Sequence, residues 1–236
     1  MGVNGTPVRK LQEVDDLAGL SRGERIDLLR SRMAGLGGAV ELGQEQVWDA
    51  TQVVEVPADL ARILPGGGLA RRMVTEVADC PALVVELIAH TTSAGGHVGV
   101  VGWPELSLAG VVESGRLERI ITVPDPGVDP LGITAVLVEG LDLVVARWPA
   151  PVELSPVRAR PLLGKLRGGV AALVLVGASV TAPSMRIDAA VTTFRGIGTG
   201  TGRIRGVDID VRVTAKGQRP ASGTVTVGQR AGLRAV

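Results

Sequence analysis

The sequence predicts an α/β fold whose central sheet is mixed and mostly parallel, flanked by helices, with antiparallel strands at its carboxyl-terminal edge. Three observations carry that expectation. Apolar runs at residues 98–101, 141–146 and 170–176 have strand length and little polarity on either face, as parallel strands buried between helices do. Segments with helical spacing separate these runs, so strand and helix alternate along the chain. From Met185 onward the period becomes two. Ile187, Ala189, Val191 and Thr193 alternate with Asp188, Ala190 and Thr192, and Ile204, Val207, Ile209, Val211 and Val213 continue as strands.

Residues 1–38 read as a flexible start and one helix, 39–228 as the core and 229–236 as a tail. Ser21 and Glu24 have the spacing of a capping box, in which hydroxyl and carboxylate each satisfy a free N–H at the helix start. Ile26, Leu29, Met33 and Leu36 keep one apolar face until Gly37-Gly38 ends the helix. A short strand at 52–56 and a brief helix through Leu60 and Ile63 lead to Leu64-Pro65-Gly66-Gly67-Gly68, a tight connection into a strand at 71–77. Ala78, Asp79 and Cys80 make a turn, and Pro81 stands at a helix's first position, where a missing N–H costs nothing. Leu83, Val84, Leu87 and Ile88 form that helix's apolar stripe, and Gly95-Gly96 stops it before the strand at 98–101. A helix at 106–113, a strand at 119–123, a loop rich in Pro and Asp at 124–130 and a helix at 131–139 precede the strand at 141–146. A helix at 157–166 leads to the strand at 170–176 and then to the alternating strands.

Composition sets the remaining bounds. At 236 residues the chain is long enough to bury a substantial core, and with 2% aromatic residues and no Tyr that core is aliphatic. The apolar runs are too short to span a membrane. Arg9-Lys10 is followed by acidic residues rather than an apolar run, so no signal sequence is read there. Cys80 is the one cysteine, which excludes an internal disulfide framework and fits a reducing cytoplasm. The net charge of +1 hides a split. Residues 1–156 hold 12 basic and 21 acidic side chains, whereas 157–236 hold 13 basic and 3 acidic, balances of −9 and +10. Such asymmetry implies a partner for the basic part: nucleic acid, an acidic protein, or the acidic half of a neighbouring copy.

The stretch from 71 to 105 has the layout of a nucleotide-binding strand, loop, helix and strand, yet its phosphate loop is missing. Such a loop needs glycines, so that backbone N–H groups approach the anion, and a Lys to meet its charge. Asp79, Cys80 and Pro81 offer instead a carboxylate that repels phosphate and a proline with no N–H to donate.

This order of elements resembles the RecA-like ATPase core over residues 39–227. Leu64-Pro65-Gly66 matches a turn into the phosphate-loop strand, Trp103-Pro104-Glu105 closes the next strand, and residues 141–147 lie where the magnesium-binding strand runs. Residues 162–167, followed by Leu173-Val174-Leu175-Val176, are similar to the helix and strand after the first DNA-binding loop. The departures fall on the catalytic positions. Pro81 replaces the phosphate-loop Lys, Ala82 the hydroxyl that holds Mg²⁺, and Arg147 the metal-binding Asp. Glu105 matches the water-activating carboxylate, but without the Lys and Mg²⁺ ligands it has no triphosphate to act on. Its ordinary reading is a surface or helix-capping carboxylate.

A RecA-like chain of this size without an ATP site is similar to the ImuA-prime accessory factors of the actinobacterial mutagenic repair machinery. That resemblance implies a non-catalytic adaptor, needing no cofactor, in DNA-damage-induced mutagenesis and translesion synthesis. The partners it implies are the inactive Y-family polymerase homologue ImuB and, indirectly, RecA and an error-prone C-family polymerase. The alternative is a DNA-binding module that uses the basic carboxyl-terminal region.

Two surfaces are expected to carry contacts. Arg195, Arg203, Arg205, Arg212, Lys216 and Arg219 are the candidates for binding a partner or DNA. The glycine-alternating stretch 196–202 lies among them, either as a mobile connection between strands or as a shortened second DNA-binding loop. Phe194 is the sole ring nearby on which a base could stack, so single-stranded DNA binding would be weak. The amino-terminal helix, through Ile26, Leu29 and Met33, is the candidate for a subunit or partner contact, and the charge split would favour head-to-tail self-association. Other chemistry is not read. His90 and His97 have no Cys or carboxylate cluster to complete a metal site, and Cys80, with no basic neighbour, reads as a buried thiol.

Overall fold

The first strands form a small sheet of their own. In the computed structural model, which describes residues 53–198 and 201–228, β1 (Val53–Glu55) pairs antiparallel with β2 (Gly68–Ala70). Between them lie α1 (Ala58–Ala61) and a 3-10 turn (Pro65–Gly67). All described residues belong to the second of two units into which the chain divides, Met1–Glu45 and Gln46–Val236. The expected amino-terminal helix with Ile26, Leu29 and Met33 and the tail at 229–236 lie outside the described residues.

The strand expected at 71–77 is shorter, β3 (Val74–Val77), because the chain turns at Arg72, whose φ is 64°. That turn fastens the base of the sheet. Arg71 Nη1 donates to the Val170 carbonyl at 2.8 Å and Nη2 to Asp142 at 3.1 Å, while Arg72 Nε donates to the Gly169 carbonyl at 3.0 Å. Then come α2 (Pro81–Ser93), β4 (Val98–Val101), α3 (Ala109–Ser114), β5 (Ile120–Val123), α4 (Pro130–Gly140) and β6 (Leu143–Leu154). The chain continues through α5 (Pro156–Gly168), β7 (Ala172–Val180), β8 (Met185–Gly198), β9 (Thr201–Ala215) and β10 (Ala221–Gly228). Caps set two helix starts: the Asp129 carboxylate accepts from Gly132 N–H at 2.9 Å, Ser155 accepts from Arg158 N–H, and a proline follows each.

Eight strands share one sheet in the order β10-β9-β8-β3-β7-β6-β4-β5. From β8 to β5 neighbouring strands run parallel; β9 and β10 are antiparallel additions at the carboxyl-terminal edge. This is the fold class that the periodicities predict. Strand residues alternate between two cores. Val98, Val100, Leu143, Val145, Val174 and Val176 pack with α1, α2 and α3, whereas Val144, Ala146, Leu173 and Leu175 pack with α4 and α5.

Three strands outrun their expected ends, β7 among them, which runs on from Val176 to Val180. β6 does not stop at Ala146 but continues past Pro149 and Pro151, leaving register with β7 after Arg147↔Val176 and resuming at Val152↔Ala178. The prolines sit in that irregular stretch, where no ladder N–H is required of them. Within 196–202 the described residues are likewise strand. β8 runs to Gly198 and β9 starts at Thr201, with Ile197 opposite Gly202, so Gly196, Gly198 and Gly202 lie in a two-stranded ribbon. Gly196 has φ 88° and a Cβ there would overlap the Arg203 carbonyl, which explains one glycine of the series.

Candidate functional site

Parallel strands deliver their carboxyl ends to one rim, and there β3, β4 and β6 bring together the positions that the resemblance singled out. After Val77 the chain folds onto itself: Ala78 N–H donates to the Ile187 carbonyl at 2.9 Å and Cys80 N–H to the Ala78 carbonyl at 2.7 Å. Pro81 has no N–H. Of the amides that a phosphate loop would present to an anion, those of Ala78 and Cys80 are thus engaged within the chain and that of position 81 does not exist. Cys80 itself is buried in the core beneath α2.

Arg147 fills the rim. Its Nε and Nη2 donate to Asp79 Oδ2 at 3.3 and 3.0 Å, its Nη1 lies 3.6 Å from Glu105 Oε2, and its Cζ stands 5.1 Å from the centre of the buried Trp103 ring. The Arg147 side chain is 17% exposed. Its charge is thus shared between two carboxylates and the face of an indole. Glu105 is no helix cap: α3 begins later, capped by Leu108 without a side-chain bond, and Glu105 turns to Arg147 instead. Glycines make this placement possible. A Cβ on Gly102 (φ 73°) would overlap the Arg147 carbonyl oxygen, and one on Gly177 (φ 71°) the Trp148 carbonyl oxygen, so the irregular part of β6 nests between two glycines.

A second ion pair, with its carboxylate buried and its guanidinium half exposed, starts from β3. Glu76, on β3, accepts from Val180 N–H at 2.8 Å and from Arg186 Nε and Nη2 at 2.9 and 2.6 Å. These bonds and the attraction of the Glu76 carboxylate raise the Arg186 guanidinium above its usual pKa. Among the described residues no three His, Cys, Asp or Glu side chains are gathered so as to hold a metal ion, and no helix is long and apolar enough to cross a membrane.

The family described as the MT3502 N-terminal domain has a sequence model that matches residues 62–182. The chain belongs to the MT3502 N-terminal domain family. A relative, the uncharacterised protein Rv3395c of Mycobacterium tuberculosis (strain ATCC 25618 / H37Rv), is 32% identical over 196 residues, 80% of this chain and 90% of the relative. Among solved structures, the RadB recombinase is similar with a TM-score of 0.49 and 15% identity over 71% of this chain and 91% of that one. A KaiC-like protein, PH0186 of Pyrococcus horikoshii OT3, has a TM-score of 0.44 and 13% identity over 74% and 93%.

The MT3502 N-terminal domain match includes Asp79, Trp103, Glu105 and Arg147 and ends before the antiparallel wing of β8, β9 and β10. The wing does not gather the six basic candidates into one patch. By register Arg195 and Arg212 lie on the face away from α1 and α2, and Arg203 and Arg205 on the other. Lys216 and Arg219 occupy the turn between β9 and β10, roughly 40 Å along β9 from Arg203 at ~3.3 Å per residue. Arg195 is also already engaged, with Asp208 at 2.8 Å. The Arg195 bond, and after it that from Thr226, hold the Asp208 carboxyl below its usual range. Sequence reasoning passed over Glu76 and Arg186. The available signal is a lone carboxylate in an otherwise apolar strand, which demands a cation from elsewhere in the fold.

Proposed function

We propose that this protein is a non-catalytic adaptor on a RecA-like scaffold, of the ImuA-prime kind, acting in DNA-damage-induced mutagenesis and translesion synthesis. In this reading it binds an ImuB-like inactive Y-family polymerase homologue and supports an error-prone C-family polymerase. The observation that carries the reading is Arg147 held by Asp79, Glu105 and Trp103 where a nucleotide-binding scaffold would receive phosphates. A triphosphate entering there must detach both carboxylates from Arg147 and then face their charge, with no Lys to offset it. A relative in Mycobacterium tuberculosis agrees with an actinobacterial family. The test is calorimetry of the full chain with ATP and Mg²⁺, on wild type and on Arg147→Ala. No heat of binding is expected for either, because removing Arg147 opens space without supplying a Lys or glycine amides. Micromolar affinity in wild type would overturn the reading.

A second reading, direct DNA binding, is favoured by one feature. Arg203 and Arg205 are exposed near the end of the ribbon, on the same face as Phe194, whose ring is 56% exposed.

A further inference from the structure

The two edges of the eight-stranded sheet are unlike. β5 has four residues, follows Arg119 and runs into Pro124-Asp125-Pro126. Shortness, charge and proline are the devices that keep an edge from pairing with another chain. β10 is twice as long, and although Arg219 and Pro220 precede it, nothing within it interrupts or charges the edge. Its eight residues, Ala-Ser-Gly-Thr-Val-Thr-Val-Gly, include no charge and no proline, and their register with β9 is unbroken from Ala221↔Val213 to Gly228↔Gly206. Among the described residues no strand pairs with its outer side, so alternate N–H and C=O groups of β10 point away from β9.

Charge and face define what this edge accepts. Lys216 and Arg219 stand before β10, and Arg203 and Arg205 on β9 lie beyond its last pair; all four are exposed and none forms an ion pair with a described residue. On the α1 side Ile63 packs over Gly223 and Val225 is buried, while Ser222 and Thr224 are exposed on the other face. We propose that β10 receives an added strand from the adaptor's partner: an extended segment as long as β10, with alternate apolar residues on the α1 side and acidic residues at both ends. The inference rests on the adaptor reading. Main-chain pairing supplies the contact, and the flanking cations steer the segment and fix its register. A second copy of the chain suits the edge poorly. Antiparallel pairing of β10 with itself would bring Lys216 and Arg219 of one copy toward Arg203 and Arg205 of the other, like charge against like.

The test uses the full chain with its polymerase-homologue partner. Backbone hydrogen exchange of the free protein should find the outward amides of β10 fast, and complex formation should slow them by about tenfold or more. Thr224→Lys with Thr226→Lys places ammonium groups on the edge, beside Asp210 and Asp208, and should weaken binding at least about tenfold, whereas the serine pair binds as wild type. A wild-type complex that leaves β10 exchange unchanged, or a lysine variant that binds normally, overturns strand addition and leaves the adaptor reading standing. Absence of any wild-type complex removes the adaptor reading and this inference together. Slow β10 exchange in the free protein means that this chain or a second copy already fills the edge, and overturns it too.

Discussion

Asp208 shows how one side chain ties three strands. It lies on β9 and accepts hydrogen bonds from Arg195 of β8 at 2.8 Å and from Thr226 of β10 at 2.8 Å. Both favour the ionised form and lower its folded pKa. The sign of the linkage follows: the contribution is complete above the unfolded value of about 3.9 and is lost as pH falls through the depressed folded value. Asp208→Asn should therefore lower the thermal midpoint at neutral pH, with the gap to wild type closing only below about pH 4. A gap of equal size in strong acid would show that shape, not charge, is what Asp208 supplies.

At the scale of elements, the irregular middle of β6 is held by glycines on its two neighbours, and this predicts where backbone change is least tolerated. Gly102→Ala and Gly177→Ala each set a Cβ against a β6 carbonyl at a left-handed φ. Each should cost about 1–3 kcal/mol of stability, read from the urea midpoint, and disturb Trp103 fluorescence as Arg147 shifts. Gly95→Ala shares the positive φ but meets no atom nearby, so it should cost less; equal costs would refute the carbonyl contact as the cause. The same elements show what a sequence discloses. Pro81, the stripe from Leu83 to Ile88 and Gly95-Gly96 mark α2 because cap, period and stop all lie within one helix. The extension of β6 lies beyond local pattern, since Pro149 and Pro151 are residues that a central strand disfavours and only β7 shows where the ladder resumes. Glycines at every second position disguised the ribbon as a loop. Asp79 and Arg147 are each visible as departures from an ATP site and Glu105 as a match to one, but not their union: Asp79 meets Arg147 across 68 residues and Glu76 meets Arg186 across 110, distances that local periodicity does not register.

For the whole molecule, the basic candidates of the described wing lie on both its faces and at both its ends rather than along one track. Plain DNA should accordingly bind weakly, with a logarithmic salt slope no steeper than about −2, the release of ions from two or so phosphates. Anisotropy titrations across a salt series measure it, and a slope near about −6 would establish a continuous phosphate path that the strand register does not provide. The rim filled by Arg147 has a bearing on control. A scaffold that closes around a nucleotide follows the concentration of that nucleotide and lets go when it is hydrolysed. Here the cation is covalently part of the chain, so its local concentration never varies and no hydrolysis dismisses it. On the adaptor reading, a protein built this way carries no clock, and its action would follow its own amount rather than the energy charge of the cell.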